Sequence, residues 1–443
     1  MARHPATAVP ADARAARRGA PRNLTTDKGG ARVKILIYGI NYAPEPTGIG
    51  KFSGEMGAWL AARGHAVRAI AAPPYYPAWK RAEGAARLWR RERLDGVEVR
   101  RCPLYVPARP TGTKRIAHLA SFAASSFPVA MWQAVAWRPD LVLAVAPTLF
   151  SAPAAAYTAW LCDAKSWLHL QDLEIDAAFD LGLVPARRGV KRTVFAVEGW
   201  LLRRFARIST ISPAMRDRLA GKGVDPARLT LFPNWVDTAA IRPLAGPSPM
   251  RAELGIPADA IVALYSGNLG EKQGLEVILD AARAHATDPR LRYVVCGEGA
   301  AAARIRAAAA ALDNLRVLPL QPAARLNDLL NLADIHLLPQ RADAAALVLP
   351  SKLTGILASG RPVVAGAAPD TDLARAMEGC GIAVPPEDAA AFAAAIAALA
   401  DDPDRRAALG AAARARAGRD WDRDAILSRL EAEIEALVAA PRP

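Results

Sequence analysis

Val33-Lys34-Ile35-Leu36-Ile37-Tyr38-Gly39, running on into Ile40-Asn41-Tyr42-Ala43-Pro44-Glu45-Pro46-Thr47-Gly48-Ile49-Gly50-Lys51, decides how this chain is read. The first seven residues form a short apolar run that ends at glycine, and the Pro/Gly-rich stretch behind them reads as a loop. Beyond the loop Phe52, Met56, Trp59 and Leu60 recur at helical spacing, and Gly64-His65 closes that helix before the next apolar run at 66–70. Strand, loop and helix follow in that order.

The same alternation repeats outward through the apolar runs at 141–145, 166–170 and 208–212, which predicts a parallel sheet covered by helices on both faces. A proline-containing passage, Phe232-Pro233-Asn234-Trp235-Val236-Asp237, followed by Arg242-Pro243 and Gly246-Pro247, interrupts it. The pattern restarts at 261–267, with a helix striped by Leu275, Ile278, Leu279 and Ala282 and further strands at 292–296, 315–318, 335–338 and 362–365. The expected fold is α/β, with two Rossmann-like doubly wound parallel-sheet domains facing a cleft. Residues 1–32 are expected to be a basic disordered extension, 33–240 the first domain and 241–420 the second. Residues 421–443 form a last helix, with Leu427, Leu430, Ile434 and Leu437 on one side, packing back across the junction.

A chain of 443 residues with 52% hydrophobic and 23% charged residues is too long for one ordinary core and too apolar for bulk disorder. Cys102, Cys162, Cys296 and Cys380 form no Cys-x-x-Cys pair, so neither a zinc site nor a disulfide framework is expected, and no metal is assigned. No stretch has the form of a secretory signal, and the expected location is the cytoplasm. The net charge of +14 is concentrated: residues 1–32 hold seven Lys/Arg against two acids, and residues 80–115 hold eleven against four. Aromatics lie among the cations of the second segment, as in Arg87-Leu88-Trp89-Arg90-Arg91, which suits an anionic membrane surface better than nucleic acid, for which no fold signature is present. Residues 116–137 are long and apolar but contain His118, three serines, Gln133 and Pro128, and are read as a helix packed on the first domain, with contact to the bilayer surface left open.

In open parallel sheets, ligands bind beyond the carboxyl ends of the strands. The first such loop carries Gly48 and Gly50, whose missing side chains allow close approach of backbone to a phosphate at the next helix N-terminus. It lacks the Gly-Lys-Ser/Thr ending of a P-loop. The matching loop of the second domain is Ser266-Gly267-Asn268-Leu269-Gly270-Glu271-Lys272-Gln273-Gly274, and further on Pro350-Ser351-Lys352 opens a short helix that Ser351 can cap. Two lysines, Lys272 and Lys352, at two loops of one domain point to a ligand with more than one phosphate. Asp370-Thr371-Asp372 matches the Asp-x-Asp string of metal-dependent enzymes, but opens a helix and is read as a cap.

The first loop, Gly64-His65-Ala66-Val67, Ser266-Gly267-Asn268-Leu269 with Lys272, Gly297-Glu298-Gly299 and Gly360-Arg361-Pro362-Val363, in that order, resemble a family 4 retaining glycosyltransferase of the GT-B fold. The string 38–51, His169-Leu170-Gln171-Asp172 and Gly270-Glu271-Lys272-Gln273-Gly274 are similar, more narrowly, to the WcaI-type colanic acid biosynthesis glycosyltransferases. The resemblance implies a nucleotide-sugar donor on the second domain, leaning to GDP-fucose, and no cofactor. Its base would lie near Gly297, Glu298, Gly299, Pro319 and Leu320, and its diphosphate near Gly267, Asn268, Lys272, Ser351 and Lys352. Gly48 and Gly50 would close from the first domain, where a polyprenyl-linked saccharide acceptor enters at the inner face of the cytoplasmic membrane. Leu347 and Gly355 stand where many relatives carry glutamates; Gly355 stays in the donor set by position, and the ribose contact is unassigned. Asp172 follows a strand where relatives place His-Asp, and orients the acceptor, faces positive charge developing on the sugar, or caps the next segment. A nucleotide-sugar epimerase and a non-catalytic nucleotide-sugar-binding scaffold remain alternatives.

Overall fold

The computed structural model describes residues 32–81, 84, 88–108, 112–146, 150–173, 175–176, 188–270, 273–342 and 349–441. Residues 1–31, Lys272 and Leu347, on which expectations fell, lie outside them.

The first sheet holds β1 (Lys34–Tyr38), β2 (Ala66–Ala71), β3 (Arg90–Leu94), β4 (Val97–Arg101), β5 (Leu141–Ala146), β6 (Lys165–Leu170), β7 (Arg207–Thr210) and β8 (Leu229–Leu231). Their order is β3-β4-β2-β1-β5-β6-β7-β8, parallel throughout except for the edge pair β3 and β4. Alternate residues of β1 serve opposite cores, which is why the strand reads as an unbroken apolar run. Leu36 and Tyr38 join Phe122, Ala155, Leu168 and Leu202 on one face, while Ile35 and Ile37 join Phe52, Met56 and Leu60 on the other.

The second sheet comprises β9 (Ile261–Ser266), β10 (Leu291–Cys296), β11 (Leu315–Leu318), β12 (Ile335–Leu338), β13 (Val363–Gly366) and β14 (Gly381–Val384), in the order β11-β10-β9-β12-β13-β14. In both sheets the order reverses beside the first strand, so a crevice opens at the carboxyl ends of β1 and β5 and again at β9 and β12.

The chain crosses between the domains twice. Val236, on the way out, exchanges backbone hydrogen bonds with Trp421 and Arg423 on the way back, at 2.9 and 3.0 Å. The helix Arg423–Ala439 then covers the first sheet: Ile426, Leu427, Leu430 and Ile434 are buried in the core of Ile35, Phe52 and Trp167. Glu431 anchors it, accepting from Arg63 and lying 3.0 Å from His65 Nε2.

The segment 80–115, read as a basic surface, contains the hairpin β3–β4, and three of its arginines are paired with carboxylates. Val97, Val99 and Arg101 alternate inward, so Arg101 is buried, with its guanidinium donating to Glu92 and to the carbonyls of Ala72 and Ala43. Arg91 and Arg100 both pair with Glu98. The helix Gly112–Trp132, extended by a π-turn to Trp137, buries His118, Phe122, Ser126 and Ala130 against the first sheet.

Candidate functional site

The loops after β9, β10 and β11 continue the hydrogen-bond ladder past the strand ends: Gly267 N donates to Cys296 O, Gly297 N to Leu318 O and Leu269 N to Glu298 O, at 2.8–3.1 Å. Such packing demands glycine. A Cβ on Gly297 would lie 1.8 Å from the Gly267 carbonyl oxygen, and one on Gly299 would lie 2.5 Å from that of Leu269 and 2.7 Å from the Asn268 side chain. Their φ angles of 152° and 155° exclude most side chains as well.

Lys352 reaches this nest from the helix Lys352–Ala358. Its ammonium donates to Tyr265 Oη (2.8 Å) and Gln273 Oε1 (3.1 Å), sits 4.2 Å from the Tyr265 ring centre, and lies against Gly267. Tyr265 Oη donates onward to Asn268 O. No carboxylate among the described residues pairs with Lys352, and burial pushes its ammonium down to about 7. Tyr265 and Gln273 were not anticipated from sequence, because a tyrosine inside an apolar strand reads as core.

The remaining donor-side residues spread around this cluster. Glu298 is exposed and holds Arg306 (2.7 Å), the Pro319 carbonyl is taken by Gln321 and the Cys296 thiol, and Leu320 is 65% exposed. Gly355 faces Leu330 one turn into the helix. Ser351 does not cap that helix as expected: its backbone is already helical (φ −59°, ψ −21°), whereas a capping residue is extended and turns its oxygen onto the free N–H groups. In Asp370-Thr371-Asp372, Thr371 does cap, accepting from Ala374 N (3.2 Å), and Asp372 accepts from Ala214 N of the first domain (3.0 Å).

On the first domain the loop after β1 is organised by the buried Glu45. Its Oε1 accepts from the backbone N–H of Tyr75 and Tyr76 at 3.2 and 3.1 Å, and its Oε2 from Asn41 (2.9 Å). A Cβ on Gly50 would fall 2.3 Å from that Oε2, so the space at Gly50 that was read as room for a ligand is filled by the Glu45 carboxylate. Gly48 (φ 64°) lies against the Tyr76 ring, with 3.2 Å for an added Cβ. Tyr76 in turn feels the charges of Glu45 and Asp172, which raise its hydroxyl above its ordinary value together with burial, the larger cause.

Asp172 stands at the carboxyl end of β6 with its side chain open to the crevice, and no hydrogen bond to another described residue ties it down. The surrounding protein strips part of its hydration and pushes its carboxyl up to about 6, against the opposing charge of Arg115. The preceding Gln171 is structural. It forms a reciprocal amide pair with Asn234 (3.0 Å each way) and donates to His169, which burial keeps neutral with a value near 3.

Solved structures with this architecture are GT-B glycosyltransferases. Sucrose-phosphate synthase from Thermosynechococcus elongatus superposes with a TM-score of 0.68 over 92% of this chain and all of that one, and HepE of Anabaena in complex with UDP with 0.65 over 91% and all. At 18% and 17% identity they establish the fold and no more. Two family patterns divide the sequence: the glycosyl transferase 4-like domain over residues 47–235 and the glycosyl transferases group 1 over residues 248–416. The protein named "Putative colanic acid biosynthesis glycosyl transferase WcaI" of Escherichia coli (strain K12) is 44% identical over 374 residues, 82% of this chain and 91% of the relative. The chain belongs to the glycosyltransferases, in the family of that WcaI-type relative.

Proposed function

We propose that this protein transfers a sugar from a nucleotide-sugar donor to a lipid-linked saccharide in the assembly of a colanic-acid-like exopolysaccharide, with retention and without a metal ion. The donor favoured by likeness to the colanic acid relative is GDP-fucose. The observation that carries the reading is Lys352, a buried ammonium with no carboxylate partner among the described residues, set against glycine backbone at the switch point of the second sheet. A diphosphate supplies the missing negative charge, and as it departs from the sugar its charge grows, so the lysine stabilises the transition state more than the ground state. In this reading Lys272 also meets the diphosphate, and Ser351, Gly355, Gly267 and Asn268 line the donor, with the ribose contact unassigned. Gly297, Glu298, Gly299, Pro319 and the exposed Leu320 flank the base. Asp172 holds the acceptor hydroxyl or faces positive charge on the ring; with its carboxyl near 6 it is mostly ionised at neutral pH. The enzyme works at the inner face of the cytoplasmic membrane.

The test is a donor panel. Purified protein, detergent-solubilised membranes and EDTA are given UDP-, GDP- and dTDP-sugars in turn, with label followed into lipid. One donor is expected to label lipid only when membranes are present, and Lys352→Ala to lower that rate by roughly 10²–10³-fold. Donor binding without turnover, or isomerisation of the sugar without any acceptor, contradicts the proposal.

A further inference from the structure

The helix Gly112–Trp132 with its π-turn and the helices Ala152–Cys162 and Arg188–Leu202 lie side by side on one face of the first sheet. Each follows a crossover that moves the chain the same way, from β4 to β5, β5 to β6 and β6 to β7, and a common handedness then places them in one layer. Their inner sides supply Phe122, Ala130, Ala155, Ala159 and Leu201 to a single core. The outer side of such a layer is ordinarily polar. Here Phe127, Trp132, Tyr157, Trp160, Val197 and Trp200 are between 43% and 72% exposed. Phe127, Tyr157 and Trp160 stack with ring centres 6.4 and 5.4 Å apart, so the aromatics join two helices into a continuous plate.

The plate is bordered by positive charge. The described side chains of segments 112–138, 150–163 and 188–204 include seven lysines and arginines against two acids, Asp163 and Glu198, and Glu198 is buried and held by Lys222. Arg204 lies over the Trp200 ring at 4.4 Å. On the opposite border Trp89, 55% exposed, donates its indole N–H to the Ser125 carbonyl (2.9 Å), so Arg91 and Arg93, exposed and on the same side of the strand as Trp89, adjoin the same face.

We propose that this face seats the protein on an anionic lipid bilayer, with the aromatic plate at the interface and the bordering cations on headgroup phosphates. The 26-residue run Gly112–Trp137 is apolar and long enough to span a membrane, but its inner side is part of the domain core, so it lies on the bilayer and not across it. The same helix begins near Asp172, whose acidity feels Arg115, while Trp132, Trp160 and Trp200 stand toward the carboxyl ends of their helices, so with the helix layer along the bilayer Asp172 lies at one end of the contact. The orientation rests on the reading that the acceptor is lipid-borne; binding to the bilayer does not.

Flotation of the full chain with vesicles of phosphatidylcholine alone or with one quarter phosphatidylglycerol tests this. The wild type is expected to float with the anionic vesicles, with bluer tryptophan emission, and to be released by high salt. The triple variant W132S/W160S/W200S is expected to bind at least about tenfold less, while retaining nucleoside diphosphate binding, which shows the chain still folded. It should also still transfer sugar to detergent-dispersed acceptor, a result that tests the transfer reaction separately. A wild type that stays with the protein-only fraction, a triple variant that floats equally well, or a solution dimer dispersed by the same substitutions overturns the proposal.

Discussion

A lysine taken out of water loses its hydration, and among the described residues Lys352 recovers a phenolic and an amide oxygen in exchange. With its ordinary value of 10.5 lowered to about 7, the neutral amine is favoured by folding, so this group makes the free protein more stable as pH rises from about 7 to 10.5. Binding an anionic diphosphate works the other way, because it favours the ammonium. Nucleoside diphosphate affinity is therefore expected to be flat below pH 7 and to fall above it, by up to about tenfold per pH unit, with proton uptake. Calorimetry at pH 6 and 8.5 in buffers of different ionisation heat measures both, and Lys352→Met is expected to abolish the uptake. A pH-independent affinity with no proton linkage would show that Lys352 does not meet the phosphates. The lysine itself was legible in the sequence as a cation at a helix start. Its partners were not, since Tyr265 and Gln273 stand 87 and 79 positions away and only the fold unites them.

Elements explain what was read well and what was missed. Long apolar runs between glycines placed the parallel strands, because strands buried on both faces have no alternation to disguise them. The β3–β4 hairpin was passed over as a charged surface although Leu94-Asp95-Gly96-Val97 carries an Asp-Gly turn with both φ angles positive (45° and 83°), a strong hairpin signal. The inward alternation of Val97, Val99 and Arg101 likewise marked Arg101 as buried. Gly50 was misread for the opposite reason: its neighbour Glu45 is close in sequence, but nothing in the sequence shows that the carboxylate folds back onto the helix. The helix Arg423–Ala439 carries the clearest energetic prediction at this scale. Leu430 is fully enclosed between it and the first sheet, and Leu430→Ala is expected to cost about 2–5 kcal/mol, read as a lowered urea midpoint with an unchanged slope. A loss below about 0.5 kcal/mol would mean that the helix contributes little to that core.

At the scale of the whole molecule, two similar sheets are given different work. The second supplies interlocked glycine loops and a buried cation, while the first supplies Asp172, Tyr76 and the aromatic helix layer. They are tied by the paired crossings at Val236 and Trp421 and by Asp372 on the start of the helix Pro213–Gly221. In the proposed reaction the donor sits on the second domain and the acceptor on the first. Backbone hydrogen exchange of the full chain, with and without saturating GDP or UDP, tests that placement most directly. The account predicts slowed exchange at residues 267–270, 297–299 and the helix Lys352–Ala358 of the second domain, and a smaller change around Asp172. Protection confined to the first domain, or none with any nucleoside diphosphate, would contradict it.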